Sequence, residues 1–287
     1  MKLMKFVSVI CALMLSLSAV GKNKQTKLET YIIEKPQDEN QPVTIYSHGY
    51  MCNKYTAKVF HRTVESGNWW NSSAHIIGPL VSFNYCDSSN PLLTNLGQED
   101  DIERLHLACK NYNKVVLAGT SRGAATIVNY LATHKPTNII GVVLESPFDH
   151  IDNVAQYVLS NLKIKNVKNT QNMIQSFWFR NVDPNGIQPI KVAHDIPKEI
   201  PILFICTKGD SLIHHSSTAN IYDAIKKAGH TNAHLLTCDH GAHGMIMWSK
   251  DGKLFRNVVH AFYKHYNLPC HETWAQYGLD RFVQCQP

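Results

Sequence analysis

Charge is scarce in this chain: Asp, Glu, Lys and Arg make up 17% of its 287 residues. A disordered, solvated polymer carries far more charge and fewer hydrophobic residues than the 44% present here, so a folded core is expected. No block of Lys or Arg accompanies the formal +6. That removes the usual footprint of a nucleic-acid or anionic-membrane binder, and the positive balance reads as a solvated surface. No C-x-x-C pair occurs, so neither a zinc site nor a thioredoxin-like centre is indicated. No apolar run reaches the roughly 18 residues of a membrane helix. Internal repeats, low-complexity tracts and interdomain linkers are also missing, which leaves a single domain as the expectation.

What is present begins with a leader. Lys2 and Lys5 precede an apolar stretch from Phe6 to Val20, and Ala19-Val20-Gly21 closes it in a small-x-small pattern. A basic start, a short apolar centre and small residues at the end define a signal peptide over residues 1–21, with residues 22–287 as the mature domain. An uncleaved N-terminal membrane anchor is the alternative. Either way the chain is expected to be exported, secreted or held outside the cytoplasm, with no stable membrane span once the leader is removed. Export implies oxidising surroundings, so disulfides are expected among Cys52, Cys86, Cys109, Cys206, Cys238, Cys270 and Cys285. Their odd number leaves at least one thiol over. Cys270–Cys285, Cys52–Cys86 and Cys206–Cys238 are the candidate pairs, and connectivity stays open.

Along the mature chain, short apolar strands alternate with amphipathic helices. Strands are expected at Lys27–Lys35, Val43–Ser47, Val81–Tyr85, Val115–Ala118, Ile139–Leu144, Ile202–Cys206 and His234–Cys238. Helices are expected at Thr56–Val64, Leu96–Tyr112, Gly123–His134, Thr218–Ala228 and Phe255–Tyr266, the last followed by a short tail. Such alternation means crossover units and a mostly parallel sheet flanked by helices. Phe148–Ile200 breaks the rhythm, having no clear strand in a stretch far longer than an ordinary connection, and reads as an insertion lying over the sheet. Within it, Met173–Arg180 is either a lid segment forming an apolar pocket or a packed helix. Trp69-Trp70 is similarly ambiguous.

Gly119-Thr120-Ser121-Arg122-Gly123 matches G-x-S-x-G, with a strand before it and a helix after it. A Ser on so sharp a turn needs small neighbours, because backbone passes close to backbone. The turn lifts the hydroxyl to the carboxyl edge of the sheet and aims the Arg122 N–H and the helix N-terminus at a developing oxyanion. With this motif, Tyr46-Ser47-His48-Gly49-Tyr50 after the first central strand, and Asp and His turns after the last two strands, the sequence resembles the α/β-hydrolases from about Val43 to Tyr266. The resemblance implies a nucleophile, an acid and a histidine in that chain order. Ser121 is then the nucleophile and Asp210, in Lys208-Gly209-Asp210, the acid, with Asp149 as the alternative. The base is His243, in His243-Gly244, or else His240. Tyr50 and Arg122 would supply the backbone N–H groups of an oxyanion hole.

The implied activity is hydrolysis of an ester, thioester or amide through an acyl-enzyme on Ser121, with a small-molecule or peptide acyl substrate, no cofactor and no metal. An aminopeptidase or prolyl-oligopeptidase-like peptidase is the second reading. The rival from another class is a non-catalytic binding protein on the same fold. Oligomeric state stays open.

Overall fold

The structure is a computed structural model, and it describes residues 28–62, 74–86, 94–164, 168–172 and 181–285. The leader, Trp69-Trp70 and the Met173–Arg180 segment lie outside the described residues.

Among the described residues seven strands form one sheet: β1 (Thr30–Glu34), β2 (Val43–Ser47), β3 (Leu80–Phe83), β4 (Val115–Thr120), β5 (Ile139–Glu145), β6 (Ile202–Thr207) and β7 (Ala233–Cys238). Their spatial order is β1-β3-β2-β4-β5-β6-β7. Only β1 runs antiparallel, at the edge against β3. The remaining pairs are parallel, as the strand–helix alternation predicts. Every residue of β2, β4 and β6 is buried, which is why those stretches read as continuous apolar runs and not as an alternating pattern.

The period-two geometry of the strands divides the core in two. On one face Val43, Ile45, Val115, Leu117, Val142, Leu144, Ile202 and Phe204 pack against α1 (Glu99–Cys109), α2 (Arg122–His134) and α5 (His215–Lys227). On the other, Tyr46, Val116, Ala118, Val143, Leu203, Ile205 and Leu236 meet α6 (Gly252–His265) and Phe282 of α7 (Glu272–Gln284). Among the described residues no helix is long and apolar enough to cross a membrane.

Several elements depart from the sequence expectation. The first helix begins at Glu99 and not at Leu96, because Leu96 (φ 48°) and Gly97 (φ 91°) hold backbone conformations no right-handed helix accepts. The described part of the expected Thr56–Val64 helix, up to Arg62, is not α-helical. A 3-10 segment covers Lys54–Val59, capped by the Asn53 side chain. Beyond it the chain leaves helical geometry so that Phe60 and Arg62 can exchange backbone hydrogen bonds with Ile76. The stretch after Pro269 is no mere tail. It forms α7, whose Trp274, Ala275, Gly278 and Phe282 are buried. Gly278 lets α7 lie directly on α6, since a Cβ there would come within 2.1 Å of the Asn257 carbonyl oxygen.

In the Phe148–Ile200 region the described residues hold α3 (Ile151–Asn161), a helical stretch at 168–172, the short α4 (Pro189–Val192) and a 3-10 turn at Ala193–Asp195, without a strand. Its returning end does not lie over the sheet edge. Ala193, Ile196 and Ile200 join the core beside α2 and α5.

The disulfide expectation is corrected: all seven cysteines among the described residues are free thiols. Cys270 and Cys285 stand at opposite ends of α7, a separation of roughly 20 Å at 1.5 Å per helical residue. Cys206 pairs in register with Thr237 and not with Cys238, so the two thiols point to opposite faces of the sheet. Cys86 accepts a hydrogen bond from Arg104 Nε at 3.1 Å in place of a bond to Cys52.

Candidate active site

The register of the sheet brings the carboxyl ends of its central strands into one row. Ser47 lies opposite Gly119, Thr120 opposite Glu145, Glu145 opposite Ile205, and Thr207 opposite Cys238. The loops that follow these strands therefore emerge together. The chain passes from β2 outward to β3 and from β4 outward to β5, so connections leave in opposite directions between β2 and β4. Such a switch point opens a crevice where parallel sheets usually hold their ligands.

Ser121 stands at that crevice as the N-cap of α2, with φ 56° and ψ −120°. A non-glycine residue held there stores roughly 1–3 kcal/mol of backbone strain. The surroundings enforce it. Ser121 N–H donates to the Glu145 carbonyl at 2.8 Å, extending the β4–β5 pairing one residue beyond the strand. Its own carbonyl accepts the first helical bond from Ala125 N–H at 3.0 Å. Both motif glycines are sterically required. A Cβ on Gly123 would fall 1.9 Å from the Ser47 carbonyl oxygen, and one on Gly119 would fall 2.7 Å from Ile127 Cδ1 and 2.9 Å from the Gly123 carbonyl carbon.

The acid and base loops meet next to this turn. His243 Nδ1 and Asp210 Oδ2 are 2.7 Å apart. The Asp210 side chain is 1% exposed and that of His243 15%, so the carboxylate is sealed while the ring keeps an open side. Asp210 Oδ1 accepts from Leu212 N–H and Ile213 N–H, both at 2.9 Å. Three N–H···O contacts of this kind hold the carboxylate still against the imidazole. Gly209 permits the approach, because a Cβ there would come within 2.5 Å of the Gly241 carbonyl oxygen in the histidine loop. Gly244 backs onto Thr120, with a Cβ at that position only 3.1 Å from Thr120 Cγ2. Gly49, after β2, backs onto the same turn, 3.7 Å from Ser121 Cβ by the same construction. Tyr50, half-buried, follows it and packs against a small cluster containing Ala125, Phe148 and Ile213.

The alternative candidates lie elsewhere. His240 is exposed and faces Asp251, with Nδ1 at 3.4 Å from Oδ1. Asp149 is buried but engaged with other partners. It accepts from His150 N–H, both of its oxygens accept from Asn153, and Ser217 and Asn220 donate to it from α5. It ties α3 to α5 at the wall of a polar cleft of about 900 Å³.

Arg122 also shows more than its sequence position suggests. Its Nε and Nη2 donate to Asp101 of α1 at 2.7 and 2.6 Å, both side chains being buried, and the guanidinium lies 4.2 Å over the Tyr85 ring. The side chain thus faces the interior and anchors α2, while its backbone N–H stays at the helix start.

One buried group was absent from the sequence reading: Glu145, the last residue of β5, 4% exposed. Its Oε2 accepts from Thr120 Oγ1 at 3.3 Å and its Oε1 from Ile246 N–H at 3.4 Å. Burial pushes its carboxyl up from the ordinary 4.5 to about 7, against the opposing pull of the Ile246 N–H and of His243. A carboxylate closing an otherwise apolar strand at the sheet's carboxyl edge is the signal that could have revealed it.

No protein-family model matches the chain, and no curated protein sequence matches it significantly. Solved structures do. The Pyrococcus furiosus esterase Pf2001 is 14% identical over 83% of this chain and 92% of its own, with a TM-score of 0.55. A bacterial membrane phospholipase A is 15% identical over 92% of both chains, with a TM-score of 0.56. Pyrococcus horikoshii acylaminoacyl peptidase is 15% identical over 84% of this chain and 39% of its own, with a TM-score of 0.54. The chain has the α/β-hydrolase fold. At this identity the likeness extends to the backbone framework only. Within the α/β-hydrolase fold, the strained Ser121 turn, the Asp210–His243 pair and the Gly49-Tyr50 loop occupy the loops after β4, β6, β7 and β2.

Proposed function

We propose that the protein is a serine hydrolase that cleaves a carboxylic ester through an acyl-enzyme on Ser121. The observation that carries this reading is the Asp210–His243 hydrogen bond of 2.7 Å, its carboxylate buried, set in loops that pack against the strained Ser121 turn. His243 takes the Ser121 proton as the hydroxyl attacks the acyl carbon, and returns it to the departing alcohol. Asp210 fixes the tautomer and steadies the imidazolium. The backbone N–H groups of Tyr50 and Arg122 hold the oxyanion, each worth about 100- to 1,000-fold in rate. Water then attacks the acyl group under base catalysis by the same histidine.

Exposed apolar residues flank the site in sequence. Met51 follows Tyr50, Leu212 follows Asp210 by two residues, and Met245 follows His243 by two. Their presence supports an apolar acyl group over a charged one. The leader-like N-terminus supports export as part of the same proposal. An intact mass lacking residues 1–21, measured on protein recovered outside the cytoplasm, checks it, and retention of the full mass on membranes points to an anchor.

A fluorophosphonate probe tests the chemistry. Ser121 is expected to label, labelling is expected to vanish in Ser121→Ala, and a panel of p-nitrophenyl esters is expected to turn over. A well-folded wild-type protein that neither labels nor turns over any ester makes this a binding protein.

A further inference from the structure

Glu145 is buried, carries a potential charge and has no part in the acyl-transfer scheme above. A polar group so placed costs stability unless hydrogen bonds or an opposite charge compensate its desolvation. The surroundings of Glu145 are the site itself. Through its backbone Glu145 pins Ser121, whose N–H donates to its carbonyl at 2.8 Å. Through its side chain it joins the nucleophile turn to the histidine loop, accepting from Thr120 Oγ1 at 3.3 Å and from Ile246 N–H, three residues beyond His243, at 3.4 Å. Thr120 Oγ1 is in turn 3.0 Å from the buried Tyr46 hydroxyl of β2. Three strands and the histidine loop thus converge on one carboxyl group.

We infer that Glu145 is a positioning residue for the proposed acyl transfer, holding the nucleophile turn against the histidine loop and, once ionised, stabilising the imidazolium that forms on His243. The inference rests on the serine-hydrolase reading for its kinetic part only. The titratable groups facing Glu145 come from every element around it: Tyr46 from β2, Cys238 from β7, Asp210 from the acid loop and His243 from the histidine loop. Asp210 and His243 oppose one another in their effect on it. Tyr46 and Cys238 stay neutral, burial having pushed both well above their ordinary values.

The charge is separated from the geometry by Glu145→Gln. The amide keeps an oxygen for the Ile246 N–H and offers its nitrogen to Thr120 Oγ1, whose hydroxyl then turns toward Tyr46. Below pH 6 wild type carries a protonated, neutral Glu145 and the two proteins should label with fluorophosphonate at the same rate. As pH rises through about 7 the wild-type carboxyl ionises. The ratio of wild-type to variant labelling rate should then climb to about threefold to tenfold, the effect of one nearby charge on a forming cation. A ratio that stays flat from pH 5.5 to 8.5 overturns the electrostatic role, since a residue that only packs would lower the rate equally at every pH.

A second measurement does not depend on catalysis. With its folded value raised from 4.5 to about 7, Glu145 binds a proton in the folded state that the unfolded chain has released. Wild type therefore loses stability relative to Glu145→Gln as pH rises from 4.5 to about 7. The melting temperature of wild type should fall relative to that of the variant across that window. If the melting difference does not change with pH, Glu145 does not titrate there and the inference fails. If it changes as expected while Ser121 labels in neither protein, the hydrolase reading fails instead.

Discussion

Two histidines and two aspartates compete for the same roles in the sequence, and the side-chain partners separate them. His243 shares a 2.7 Å hydrogen bond with a carboxylate that is 1% exposed, whereas His240 faces Asp251 in solvent. The expected outcome is that His243→Ala abolishes ester turnover while His240→Ala keeps most of it, measured as kcat/KM on a p-nitrophenyl ester. Asp210→Asn should lower kcat by about 10³- to 10⁴-fold, because an amide no longer fixes the tautomer or stabilises the imidazolium. Asp149→Asn should behave in the opposite sense. Asp149 accepts from Asn153, Ser217 and Asn220, so an amide there sets donor against donor and costs about 1–3 kcal/mol of stability, read by denaturant unfolding, with turnover retained. The order Ser, Asp, His is implied by the α/β-hydrolase resemblance, each residue following a strand. Which Asp meets which His could not be read from the sequence, because that depends on side-chain contacts between residues 33 apart in sequence.

At the scale of elements, the β4–turn–α2 unit explains why the glycines flank Ser121. Helix α2 crosses β2 so closely that a methyl group on Gly123 would fall 1.9 Å from the Ser47 carbonyl oxygen. Gly123→Ala is expected to cost about 3 kcal/mol through overpacking against backbone. That corresponds to a melting temperature lower by roughly 10 °C. Survival of the full melting temperature would mean that α2 can shift away from the sheet. The buried Asp101–Arg122 pair fastens the same unit from the other side. Strands were the most legible elements, because burial on both faces writes an uninterrupted apolar run. Helix ends were less so. Leu96 and Gly97 delay α1 by a positive φ, which no apolar pattern records.

Over the whole molecule, the sheet is closed on one face by α1, α2 and α5 and on the other by α6 and α7. The sequence reading ended the fold at Tyr266. The structure continues it through α7, whose Phe282 is fully buried with Phe262 and whose Trp274 stacks on His271 and lies under the guanidinium groups of Arg62 and Arg256. A chain cut after Pro269 should therefore lose cooperative unfolding or aggregate, as seen by thermal melting and size-exclusion chromatography. A truncated protein that melts like the full chain would show α7 to be dispensable. Helix α7 escaped notice because its apolar positions are spaced among Glu272, Gln276, Asp280 and Arg281, which read as a polar tail until α6 supplies a surface for them.

Local composition determined the strands, the helix faces and the sharp turn at Ser121. Each of these depends on neighbours within a few positions along the chain, where periodicity and the size of glycine act directly. Only the tertiary structure decided that Asp210 meets His243, that Arg122 turns inward to Asp101, that the seven described cysteines stay unpaired and that Glu145 lies under the site. Those outcomes follow from sheet register and helix packing, which bring together side chains that share no local sequence signal.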